Sequence, residues 1–78
     1  MITLKPELDD VEKLIWKVRA HIGREEFKAA EELMLAPAKA CDFMAKVSNH
    51  LPLEELKRLK ELSDQCFEIL VYLDDRTP

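Results

Sequence analysis

Two histidines, two cysteines and a series of paired acids are the residues of this chain whose types could support chemistry. His21 and His50 each fall at or beside the end of a predicted helix. There an imidazole ordinarily faces solvent or caps free carbonyls. His50 and Glu54 could share a metal ion, but no second histidine stands at the spacing of a helical metal site. Cys41 and Cys66 lie on the apolar stripes of their helices, where cysteine acts as a small buried hydrophobe. They have no CxxC spacing and no histidine at ligand spacing, so zinc is not expected. A reactive thiolate needs a cationic, partly open setting, and Lys39 and Lys46 do not clearly share a face with Cys41. Asp9-Asp10, Glu25-Glu26, Glu31-Glu32, Glu54-Glu55 and Asp74-Asp75 are adjacent pairs, and neighbours on a helix point in different directions. They read as solvated faces and helix starts. A glycine-rich phosphate loop is excluded by the single glycine. The sequence therefore leads to the expectation that the protein is not an enzyme, with no catalytic residue, no cofactor and no metal.

The elements that would position these residues are helical. The chain has 78 residues, 47% of them hydrophobic and 36% charged, which suits one small globular domain. Leu, Ala, Glu and Lys dominate, and all favour helix. The stretch from Pro52 to Leu73 organises the rest. Leu59, Leu62, Cys66, Ile69 and Leu73 alternate spacings of three and four, which places them on one helix face. Leu53, Leu56, Phe67 and Leu70 widen that face enough for two neighbouring helices. The predicted third helix spans about 52–73, followed by a polar, frayed tail over 74–78.

Upstream, Pro6 suits the first turn of a helix, and Glu7, Asp9 and Asp10 favour its N-terminus. Leu8, Val11, Ile15, Val18 and Ile22 make its stripe. Gly23 is placed as the stop, which gives helix 1 about 6–22. Ile2 and Leu4 either form a loose arm or pack on the bundle. Helix 2 covers about 24–49. Phe27, Met34 and Cys41 recur by sevens, as do Ala30, Pro37, Met44 and Leu51. Both registers cross Pro37 in phase, so a kink there is favoured over a break at Ala36. The fold class is all-α: a small antiparallel three-helix bundle, its second helix kinked or broken at Pro37.

The net charge of −4 argues against direct nucleic-acid binding, because phosphate contacts need clustered Lys and Arg. No secretory signal is read at the start, and no apolar run approaches the roughly 20 residues of a membrane span. The expectation is a cytoplasmic protein with reduced cysteines and no membrane insertion. What remains is protein binding. Trp16 lies beside the helix 1 stripe, and Phe43 lies off the face of Met34 and Met44. Leu33 and Leu35 flank the same face, and Phe27 opens it. Trp16, Phe27, Leu33, Met34, Leu35, Phe43 and Met44 are thus the candidate partner-binding residues, with helix 2 as the binding element. Three short helices accumulate limited burial, so a homodimer through helix 2 or helix 3 is also expected.

Ile15-Trp16 in a first helix, the short Gly23-Arg24-Glu25-Glu26-Phe27 turn and the Leu-rich helices that follow carry a resemblance. Over about two thirds of its length the chain resembles the small helical export chaperones of flagellar and type III secretion systems, especially the FliT kind. Those chaperones hold export substrates or transcription regulators on helical surfaces. The resemblance implies a protein that sequesters or chaperones a partner. The alternative is an anti-activator or inhibitor of a transcription regulator or other host protein, encoded by a phage or mobile element.

Overall fold

Helix-favouring composition and three apolar stripes produce three α-helices and no strand among the described residues, 3–76, of the computed structural model. The helices are α1 (Lys5–Gly23), α2 (Phe27–Lys46) and α3 (Leu53–Asp74), with a single 3-10 turn at Ser48–His50 before α3. They pack into a bundle 42 Å long. Each stripe read from the sequence is the buried stripe of its helix. α1 buries Leu8, Val11, Ile15 and Val18; α2 buries Ala30, Met34, Pro37, Cys41 and Met44; α3 buries Leu59, Leu62, Cys66, Ile69 and Leu73. Leu51 closes the end of this core, and Leu4, Ile22, Phe27, Leu33, Ala40 and Leu56 lean on its edges. Ile2 lies outside the described residues.

Pro37 sits inside α2, and the helix runs through it as one element. A break at Ala36 does not occur. The proline lacks an N–H for the Leu33 carbonyl, a defect that costs about 3 kcal/mol in an unsupported helix. Its ring is less than 2% exposed, and burial in the core offsets that cost.

The turn after α1 differs from the sequence reading. Gly23 is the last residue of the helix and has no positive φ; Glu25, at φ 60°, takes the left-handed position. Glu26 N–H donates to the His21 carbonyl at 2.9 Å, and Glu25 N–H to the Ile22 carbonyl at 3.0 Å. This is the pair of bonds of a Schellman stop, with Glu25 in the place glycine usually fills. The apolar contact that normally accompanies the motif is replaced by a polar one. The Glu26 carboxylate accepts from His21 Nδ1 at 2.8 Å and from Arg24 Nε at 2.9 Å. α2 consequently starts at Phe27, three residues later than expected from the sequence. At its other end Lys46 is the last helical residue, because Ser48–His50 turn separately.

α3 ties down the start of α1. Glu55 accepts from the Leu4 N–H at 2.6 Å and from the Thr3 hydroxyl at 3.2 Å, so a carboxylate from another helix stands at the positive end of α1. Arg58 reaches Asp9 at 2.6 Å and Glu12 at 2.7 Å. Further along, Arg19 donates to Gln65 at 3.2 Å. Arg58 with Glu12 and Arg19 with Gln65 share one sequence offset of 46, so α1 and α3 keep a constant register along this seam. α3 ends one residue beyond the expected boundary. Asp74 is helical, and Arg76 stacks 3.6 Å from the centroid of the Tyr72 ring.

Candidate functional site

The candidate partner-binding residues divide by burial. Met34 and Met44 are 0% and 1% exposed, enclosed in the core. Neither presents surface to a partner, which removes them from the contact face expected from the sequence. The reason is their position at the centre of the α2 stripe, where the bundle closes over long flexible side chains. Phe27 and Leu33 are half-buried against the core, and the Phe27 ring lies 6.4 Å from that of Tyr72. Trp16, Leu35 and Phe43 remain exposed. They do not form one patch. Helical periodicity puts Phe43 on the α2 flank that carries Leu33 and Ala40, and Leu35 on the flank that carries Glu31 and Asp42.

Trp16 overhangs a groove of about 410 Å³ between α1 and α3, walled by Glu12, Arg19, Arg58, Glu61 and Gln65. Its cations are committed to partners within the bundle. Hydrogen bonds donated to Glu12 and then Asp9 hold the Arg58 guanidinium above its ordinary range. Such a wall favours closure of the bundle on itself over capture of a ligand.

The other seam has a different character. Two crevices of about 500 and 200 Å³ lie along α2 and α3 and share Phe67 and Leu70 as walls, so they sit side by side along one groove-like seam. Phe67 is 68% exposed, and Leu70 and Val71 are also open to solvent. Helical periodicity puts Leu35 on the same α2 stripe as Glu31 and Ala38, which line the two crevices. The lining acids are Glu31 and Asp42 on α2 and Asp74 and Asp75 after the apolar patch; no lysine or arginine lines either crevice. An apolar floor with acidic ends can receive the apolar face of a helix whose polar face is basic.

Phe67 and Leu70 were assigned by periodicity to the widened buried face of α3, and Val71 to no face. The bundle instead buries only a narrow stripe of α3, because α2 and α1 meet it on Leu59, Leu62, Cys66, Ile69 and Leu73. A wide apolar face in a chain with only two other helices was the available signal of surplus surface. At the floor of the smaller crevice lie both cysteines, Cys41 from α2 and Cys66 from α3, with Ser63 beside them. Neither is in a disulfide. No protein-family model matches the chain, and neither a curated protein nor a solved structure matches it.

Proposed function

We propose that this protein is a small non-catalytic binding module that takes up a partner protein by seating an amphipathic helix on the α2–α3 groove. The observation that carries the reading is the cluster of Phe67, Leu70 and Val71, all solvent-exposed along one acid-lined seam, with exposed Leu35 on the α2 stripe that Glu31 and Ala38 share. Monomeric soluble proteins rarely leave large apolar side chains contiguous at the surface without use. The acids select among occupants. A partner helix with Lys or Arg on its polar face gains at both ends of the groove, whereas an acidic helix is repelled. This agrees with a chaperone or sequestering role of the kind the resemblance implies. An inhibitor of a transcription regulator would use the same face and differ only in the protein bound. The bundle in this reading has α2 running against α1 and α3 and bending at Pro37. The short connections and the constant α1–α3 register support that arrangement.

Self-association through the same face is the second reading. The exposed apolar groups favour it, and the facing acids of two copies oppose it. Titration calorimetry with a synthetic helix of Leu at positions i, i+3, i+4 and i+7 and Lys elsewhere tests the first reading. Binding that weakens in salt and is lost in the Leu35→Ser/Phe67→Ser double variant is the expected result. Equal binding of an otherwise identical Glu-faced peptide, or unchanged binding by the double variant, overturns it. Light scattering in the same buffer reports the second: a mass of twice 9.1 kDa that reverts in the double variant assigns the groove to a second copy.

A further inference from the structure

The two thiols are distant in sequence, yet they meet across the α2–α3 seam. Cys41 and Cys66 are 5% and 4% exposed, and both line the same 200 Å³ crevice, which opens beside Phe67 and Leu70. Ala38 and Ser63, also in its lining, are small, and small residues on facing helices let the backbones approach closely. Cys66 and Ser63 both stand beside Cys41 and act on its thiol. Two thiols that line one crevice from adjacent helices are placed to approach each other, whereas cysteines on diverging vectors cannot bridge without backbone shifts. The crevice gives a molecule of water size a route to the pair. The hydrogen bonds received by Cys41, that from Cys66 first, hold its thiol below the ordinary range against the opposing effect of burial. The Cys66 thiol is pushed up by its bond to Cys41 and by burial. The anion therefore resides on Cys41.

We propose that Cys41 and Cys66 are a peroxide-oxidisable pair, Cys41 attacking and Cys66 resolving, that closes to an intramolecular disulfide joining α2 to α3. The Cys41 thiolate donates an electron pair to one oxygen of hydrogen peroxide. The O–O bond breaks, giving Cys41 sulfenic acid and hydroxide. The Cys66 sulfur then attacks the Cys41 sulfur and the S–O bond breaks. The departing hydroxide takes the Cys66 proton and leaves as water. In sum, two thiols and one peroxide give one disulfide and two waters, and two electrons pass from sulfur to oxygen. The disulfide would fasten together the two walls of the groove described above, whatever occupies it.

The test uses the full chain, reduced and then exposed to one equivalent of hydrogen peroxide. Residual thiols are alkylated after denaturation, and the product is read by intact mass and peptide mapping. The expected product is a monomer lacking two hydrogens, with the Cys41 and Cys66 peptides cross-linked and no alkylation. A chain-to-chain disulfide, oxygen addition without cross-linking, or full alkylation after peroxide overturns the proposal. In the wild-type chain, a sulfenic-acid-trapping dione present in excess during peroxide exposure should label Cys41 on the order of tenfold more than Cys66, because the thiolate is the reactive form. Equal labelling of the two peptides refutes the assignment of roles.

Discussion

Met34 and Leu35 are neighbours on α2 with opposite environments, and replacing each by alanine separates core from surface. Met34 is 0% exposed and sits where α2 faces the other helices, whereas Leu35 is 59% exposed. Met34→Ala removes the whole thioether arm from a closed core. Loss of transfer energy and the cavity left behind cost about 2–5 kcal/mol in such sites. A 78-residue domain holds about 4–12 kcal/mol of total stability at ordinary values per residue. The substitution thus takes between about a sixth of the total and all of it. At about 4–8 °C per kcal/mol for a domain of this size, Tm falls by roughly 8–40 °C. Leu35→Ala removes atoms that mostly touch water and substitutes a better helix former, so its effect on folding stays within about 0.5 kcal/mol. Urea and thermal unfolding followed at a helical circular-dichroism band measure both. The reasoning fails if the two variants unfold at the same temperature, or if Leu35→Ala is the more damaging. On binding the order reverses: Leu35→Ala weakens uptake of the basic helix, and Met34→Ala leaves the affinity of the folded fraction intact.

The turn after α1 offers a second test. Gly23→Ala should stabilise by about 0.4–1 kcal/mol, since Gly23 has ordinary φ and its added Cβ meets nothing within 4 Å. Glu25→Gly should stabilise by a similar amount, roughly 0.5–1 kcal/mol, by relieving the left-handed φ of 60°. Urea midpoints that fall in either variant refute that account. Arg58→Ala should cost about 0.5–1 kcal/mol at low salt, with most of the difference from wild type gone in 1 M salt, because the pairs with Asp9 and Glu12 are half exposed. Hydrogen bonds from His21 and then Arg24 lower the Glu26 carboxyl from its usual 4.5. Its contribution to stability is therefore complete above that value and is lost as pH falls through the lower folded value. Glu26→Gln should flatten that acid limb, as read by unfolding midpoints across pH 2–6. Once formed, the Cys41–Cys66 disulfide closes a loop for which chain entropy gives about 3–4 kcal/mol, so Tm should rise by at least about 10 °C on oxidation and fall back on reduction.

Much of the fold was legible because helix periodicity is local. Leu8, Val11, Ile15 and Val18 announce their common face within four turns, and so do Leu59, Leu62, Cys66, Ile69 and Leu73. Pro37 was harder, since its cost is intrinsic and its compensation is burial supplied by other helices. Gly23 misled for a related reason: glycine is the usual left-handed stop, but the helix ran on to include it and Glu25 accepted the strained conformation, with the Glu26 contacts to His21 and Arg24 alongside. The candidate site was legible in kind and not in place. Surplus apolar residues could be counted in the sequence. Which of them are surplus depends on where neighbouring helices stop, and that sent Met34 and Met44 inside while leaving Phe67, Leu70 and Val71 outside.

By itself the sequence determined the helices, their inward stripes and the excess of oily surface, because each follows from side-chain spacing along one element. The tertiary structure alone decided that part of the excess, Phe67, Leu70 and Val71, lies on the α2–α3 seam among acids, and that two thiols remote in the chain line one crevice there. Both are properties of two surfaces brought together, and no single helix encodes the line along which another will lie against it.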